Sequence, residues 1–401
     1  MGRVARPWVP LGRARAAAAV PRSPRIPGRP WCRGRGYDGG VSPTRPSHPA
    51  PSATAAVDPA HPASGPEAGD RPGPLVAVSW LREHLDDPDL ILVQVSPTRR
   101  VYNRRHLPGA AYGDLHRELA VRGRDPATGD ADREWLLPSR EHVEAALARW
   151  GAVEVAAAAA PGAPVSQAPA PAPAADAPTP TARAPRIVFY DDIGQNRQAI
   201  RGYWLLRLYG YPAGRVHVLD GGLIAWVASG GPVTAEVSDP TTAAAPPRGP
   251  IRLGAPDPSL IATTDQVRAW SAESSALGGP TRLLDVRSAD EFVGWDDRGA
   301  RRGGRIPGAR SRYFADFLRP DNTLRPVPEA LALVRGSGAE PSEVRAVYCQ
   351  GGVRAALAWF VLHELAGLDG VRSYAGSWEE WGNRDDVPVA SDVPEGPGGP
   401  A

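Results

Sequence analysis

Three pairs of segments recur along the chain in the same order. "HLPGAAYGDL" (106–115) answers to "RIPGARSRYF" (305–314), "RIVFYD" (186–191) to "VRAVYC" (344–349), and "VHVLDGGLIAW" (216–226) to "VRSYAGSWEEW" (371–381). An ordered repeat of this kind marks an internal duplication. Each copy alternates short β-runs with helical patterns, which predicts an α/β fold: two units in tandem, each a mainly parallel sheet flanked by helices. Pro108 and Asp191 stand 83 positions apart, but Pro307 and Cys349 only 42. Most of the excess is an Ala/Pro-rich insertion at 156–185, a composition that favours extended, hydrated chain.

Local signals agree. "LVAVSWLREHLDDPDLILVQVS" (75–96) reads strand, short helix, strand. In "SREHVEAALARWG", Ser139 is placed as an N-cap and Gly151 as a stop. The expected boundaries are a first domain at 74–238, a Pro/Ala-rich linker at 239–258, a second domain at 259–392 and a disordered tail at 393–401. Residues 1–73, rich in Arg, Pro, Ala and Gly, cannot build a core. They read as a disordered extension, with a targeting peptide or an arm for an anionic partner as the alternatives.

Composition excludes more than it identifies. The net charge of +2 makes no case for nucleic acid. No window approaches the roughly 18–20 apolar residues of a membrane span. All 46 basic residues are arginine, a coding bias that lowers the weight of any single Arg. The two cysteines, Cys32 and Cys349, make no disulfide framework, so a reducing cytoplasm is the expected compartment.

Cys349 is the residue that suggests chemistry. Parallel α/β sheets bind ligands at the carboxyl ends of their strands. Cys349 ends the β-run "AVY" and is followed by "QGG" and a helical pattern with Val353, Leu357, Phe360, Val361 and Leu365 on one face and Gly367 as its stop. Glycines let the loop bend so that amide N–H groups converge at the positive end of a helix. Such a cradle favours a thiolate and receives an anion, and Arg354 adds a fixed charge. The alternative is a cysteine that is simply a small buried apolar group.

These residues resemble the rhodanese family, in its tandem-domain thiosulfate sulfurtransferase form. The likeness runs over about residues 75–390 and is carried by "LLDVRSADEF", "GRIPGA", "YCQGGVRAA" and "SYAGSWEEWGN" in the second half. "HLPGA" and "LDGGLIAWVASGGPV" carry it in the first. The resemblance implies a six-residue loop, Cys349, Gln350, Gly351, Gly352, Val353 and Arg354, with a persulfide on Cys349 during turnover. Related phosphatases have Arg six positions after Cys; here that position is Ala355. The first half departs from the pattern: Asp191 aligns with Cys349, Gln94 with Asp285 and Ser96 with Arg287. A carboxylate forms no persulfide, so the first domain is expected to be silent and to wall the cleft.

Asp285 is expected to orient the loop or nearby arginines, with a plain strand-end ion pair as the alternative. Arg287 and Arg354 are candidates for the sulfonate end of thiosulfate. Arg298, Arg301, Arg302 and Arg305 make either a basic rim or a solvated loop. Trp378 and Trp381 read as packing residues, and His106 as structural. No metal-ligand spacing, phosphate loop or dinucleotide signature is present, so no cofactor is expected. The function expected is transfer of the sulfane sulfur of thiosulfate to cyanide or a thiol, by a monomer with no nucleic-acid or membrane partner. The alternatives are a 3-mercaptopyruvate donor, or a non-catalytic persulfide carrier; "CQGGVRA" differs from the "CGSGVTA" loop of mercaptopyruvate-using relatives.

Overall fold

The structure is a computed structural model that describes residues 72–124, 129, 133–154, 184–193, 195–237 and 249–393. The expected disordered extension with Cys32, nearly all of the Ala/Pro insertion, the first half of the linker and nearly all of the tail lie outside the described residues.

The first sheet is built from five parallel strands. In chain order its region holds β1 (Leu75–Val76), α1 (Val78–His84), β2 (Leu90–Ser96), α2 (Arg99–Tyr102) and β3 (Ala111–Asp114). It continues with the hairpin β4 (Val121–Gly123) and β5 (Arg133–Leu136), then α3 (Arg140–Arg149), β6 (Arg186–Asp191), α4 (Arg197–Leu208), β7 (Val216–Leu219) and α5 (Gly222–Ala228). The strand order is β1-β7-β6-β2-β3. Both faces are covered, so β6 reads as a nearly unbroken apolar run and is buried from Ile187 onward. Ser139 caps α3 as the sequence predicts, its hydroxyl accepting from His142 N.

The second sheet repeats the first. Its elements are α6 (Thr264–Ser275), β8 (Leu283–Asp285), α7 (Ala289–Val293), β9 (Arg310–Ser311), α8 (Val327–Gly336), β10 (Ala346–Tyr348), α9 (Val353–Trp359), β11 (Arg372–Ser373) and α10 (Ser377–Trp381). The order β11-β10-β8-β9 matches β7-β6-β2-β3. A single parallel bridge, Ile261 to Ser373, stands where β1 stands in the first sheet. Register confirms the alignment residue by residue: Tyr190 lies opposite Gln94, and Tyr348 opposite Asp285. Even a side-chain bond is duplicated. The Tyr190 hydroxyl accepts from Leu107 N at 3.0 Å, and the Tyr348 hydroxyl from Ile306 N at 3.2 Å.

The two domains share a core. Phe189, Ile200, Tyr203 and Trp204 of the first cluster with Leu357, Trp359 and Phe360 of the second, where α4 packs on α9. Tyr203 meets Phe360 edge-on at 4.9 Å, and Arg207 pairs with Glu364 at 3.1 Å. The described part of the expected linker is packed rather than free: Ile251 and Leu253 are buried, and Leu253 N donates to Glu144. The helix after Cys349 differs from expectation in one respect. It widens into a π-helix over Phe360–Leu365, with Ala366 N bonding Val361 O, before Gly367 turns out of it at φ +69°. Apolar spacing does not distinguish that widening from a regular helix.

Phe360, the first residue of the π-helix, is fully buried against Tyr203 of α4 in the shared core. Phe360→Ala is expected to cost about 3–5 kcal/mol, read as a lower urea midpoint of the whole chain.

Candidate active site

β10 delivers its backbone to Cys349, and the turn Cys349–Gly352 returns into α9. Cys349 is a free thiol with 1% of its surface exposed. Gly352 N donates to its Sγ at 3.1 Å. That bond needs Gly352 at φ +85°, a conformation in which a Cβ would stand 3.1 Å from Ala375 O. A Cβ on Gly351 would overlap the Trp135 indole, so the loop seats against the first domain's hairpin. Cys349 N donates to Ser377 Oγ at 3.1 Å, and that hydroxyl donates to Tyr374 O at 2.8 Å. The Cys349 and Gln350 carbonyls accept from Trp378 N and Glu379 N, both at 2.9 Å.

Ser377 shows what the loop requires. It is buried at φ +52°, a left-handed conformation costing roughly 1–2 kcal/mol for a residue with a Cβ. Its first-domain counterpart is Gly222 at φ +54°. The second domain keeps a hydroxyl where the first keeps the easier residue, and that hydroxyl is the acceptor for the Cys349 amide.

The loop arginine is not free. Arg354 grips Glu291 through two hydrogen bonds of 2.7 Å each. Glu291 is 3% exposed and also receives Ser288 N and Oγ in a capping box at the start of α7. Burial works to raise the Glu291 carboxyl, but the Arg354 guanidinium outweighs it and holds the group at about 2. Burial likewise works to lower Arg354, and the carboxylate holds it above its ordinary range.

Asp285 and Arg287 form a second pair, both fully buried, at 2.7 Å. Arg287 also donates to Gly304 O and lies 4.5 Å over the Trp378 ring. The structure therefore brings Asp285 to Arg287, and places Arg287 outside the cavity that contains Cys349. That cavity, about 420 Å³, lies between the domains. Cys349, Gln350, Gly351, Val353 and Arg354 line it from the second domain, as do Glu291 and Arg298. Leu115, Trp135, Arg197 and Gln198 line it from the first. Of the other arginines expected at the rim, Arg301 binds Asp385, Arg305 binds Asp392, and Arg302 serves carbonyls around the end of α10. Trp378 and Trp381 are buried packing residues, and His106 is bonded to Tyr102 O and Glu236 O.

Sequence reasoning missed Glu291, Ser377, Trp135 and Arg197. The capping box S-x-x-E was readable as a helix start. Nothing in it announces a partner 63 positions away.

Removing the Ser377 hydroxyl leaves a buried amide without its acceptor. Ser377→Ala is expected to cost about 1–3 kcal/mol in urea unfolding. The Glu291 carboxyl sits below its usual 4.5, so its contribution is fully present above that pH and is lost as the pH falls toward 2. The urea midpoint of the wild type should therefore fall more between about pH 5 and about pH 2.5 than that of Glu291→Gln.

A profile of the rhodanese-like domain matches residues 263–384. The chain is 30% identical to a putative thiosulfate sulfurtransferase of Haloferax volcanii, over 79% of this chain and 95% of that protein. It is 29% identical to the sulfur carrier protein TtuD of Thermus thermophilus, over 80% of this chain and 97% of that protein. Among solved structures it resembles the 3-mercaptopyruvate sulfurtransferase SseA of Escherichia coli, with a TM-score of 0.55 and 24% identity. That match covers 77% of this chain and 99% of the other.

Proposed function

Because the chain belongs to the rhodanese family, we propose that it is a sulfurtransferase that moves the sulfane sulfur of thiosulfate to cyanide or a thiol through Cys349. The observation that carries the reading is the Cys349 sulfur itself. It faces an interdomain cavity, receives the Gly352 amide and stands at the start of a helix. The Cys349 thiolate attacks the outer sulfur of thiosulfate. A Cys–S bond to that sulfur forms, the S–S bond of thiosulfate breaks, and sulfite leaves with the electron pair. The persulfide anion then gives its outer sulfur to cyanide or a thiolate, and the Cys349 thiolate returns. The cycle is two-step covalent catalysis, with ping-pong kinetics.

The sulfonate end of the donor is assigned to Arg197. Arg354 is engaged by Glu291 and Arg287 by Asp285, whereas Arg197 lines the cavity and makes no hydrogen bond or ion pair with another described residue. Burial pulls Arg197 below its ordinary value, while Asp191 acts to raise it. An anion entering the cavity satisfies this guanidinium.

A mercaptopyruvate donor presents a carboxylate to the same arginine. The loop "CQGGVRA", with Arg354 in place of a hydroxyl residue, favours thiosulfate. Among the described residues no helix is long and apolar enough to cross a membrane. The free Cys349 thiol supports a cytoplasmic place of action.

Thiosulfate treatment should add the mass of one sulfur atom to Cys349. Cys349→Ser should abolish both the adduct and transfer, and Cys32→Ser neither. An adduct on Cys32 alone, or transfer by Cys349→Ser, would sink the reading. Turnover with both donors side by side tests the assignment of thiosulfate. Arg197→Gln should raise KM for thiosulfate about tenfold with a smaller change in kcat.

A further inference from the structure

One arginine near Cys349 does not line the cavity. Arg201, on α4 of the first domain, is fully buried behind the cysteine loop. Its Nε donates to Leu119 O at 3.2 Å, and its guanidinium lies 4.7 Å over the Trp204 ring. Nη1 and Nη2 are buried and bond no described residue, and no carboxylate pairs with them among those residues. A buried cation without a partner is strongly unfavourable. Gly352 connects it to the sulfur. The Gly352 amide is 3.1 Å from Sγ, and a Cβ on the same residue would stand 3.0 Å from Arg201 Nη1.

We propose that Arg201 is a positioning residue whose charge, held behind the loop by the first domain, is the counter-charge of the Cys349 thiolate and persulfide. The other charges around the sulfur are accounted for. On α9 and α7, Arg354 and Glu291 neutralise each other, and at the end of β8 so do Asp285 and Arg287. Arg197, beside Asp191, and Arg298, beside Asp296, face the cavity, where the donor enters. Tyr313 is the remaining titratable group on the cavity wall. Among the described residues, Arg201 alone combines full burial with two unbonded guanidinium nitrogens and a place beside Gly352. Burial draws its guanidinium down to about 10, and a charged Cys349 opposes that fall, as it also acts to raise Arg197 and Arg354.

The inference rests on Cys349 as the reacting sulfur. Its test is the rate of Cys349 alkylation by iodoacetamide at neutral pH in the full chain, with kcat and KM for thiosulfate alongside. Arg201→Met should slow alkylation about tenfold and lower kcat, with KM changed less than about twofold. Arg201→Lys should recover most of the alkylation rate. Alkylation of Arg201→Met within about twofold of wild type overturns the proposal. So does a Lys variant as slow as the Met variant, since packing would then be the cause. Should Arg201→Met fold poorly, Arg201→Gln, which keeps a polar side chain without the charge, is read in its place: it should slow alkylation about tenfold, and alkylation within about twofold of wild type overturns the proposal. If Cys349→Ser transfers sulfur, the functional reading fails first. If the wild type takes up sulfur on Cys349 and the Arg201 variants alkylate normally, only this inference fails.

Discussion

On the proposed reading of Cys349 as the nucleophile, a sulfur that carries negative charge while 1% exposed is the constraint around which the second domain is arranged. Burial disfavours an anion, so a nucleophilic thiolate in such a place needs groups around it that favour charge. The parallel sheet supplies the place, the end of a buried central strand. Gly352 supplies an amide at 3.1 Å, reached only through a left-handed turn. Ser377 holds the Cys349 amide from the other side, at the cost of its own left-handed backbone. The loop's own arginine is committed to Glu291 and so adds little net charge.

That commitment changes what the first domain is for. It lacks a cysteine at Asp191, and Gln94 and Ser96 replace the Asp285–Arg287 pair, yet its contacts converge on the second domain's loop. The hairpin β4–β5 brings Arg133 to Glu379 and Glu380, and Glu379 accepts from the amides of Glu134 and Trp135. Glu379 N in turn holds the Gln350 carbonyl. Helix α4 presents Arg197 to the cavity and Arg201 to the back of the loop. A domain with Asp191 in place of the cysteine thus still forms part of the site's wall and, on the proposal made for Arg201, supplies its counter-charge.

Much of this was legible in the sequence, and the division between what was and was not is physical. The strands, the duplication and the cysteine loop are written in contiguous patterns: apolar runs, "PGA" turns and "CQGG". Alignment of Asp191 with Cys349 and of Gln94 with Asp285 agrees with the strand register. The roles of arginines were not legible, because charge pairing is decided by tertiary neighbours. Arg287 reads as a ligand candidate but is enclosed by Asp285, Gly304 and Trp378. Nothing in the sequence singles out Arg197 or Arg201 on α4, yet one lines the cavity and the other is buried beside the loop. With every basic residue an arginine, composition gave no way to rank them.

The two copies also show how a duplicated fold divides its tasks. Both keep the tyrosine on the central strand and its bond to the "PG" turn, which fixes the sheet against that turn. They part at the strand end. Gly222 takes the left-handed position with no hydroxyl, and a Cβ there would stand 2.8 Å from Asp191 O. Ser377 takes the same position with a Cβ and bonds the cysteine amide. Of these two equivalent positions, the one that carries a Cβ is the one beside the sulfur, where its hydroxyl has an amide to receive. The opposite division holds for charge: Arg354 and Arg287 are paired within the second domain, and Arg197 and Arg201, which make no ion pair with a described residue, come from the first. Geometry is built locally and charge is brought from the neighbour, and the shared core of α4 and α9 holds the two together.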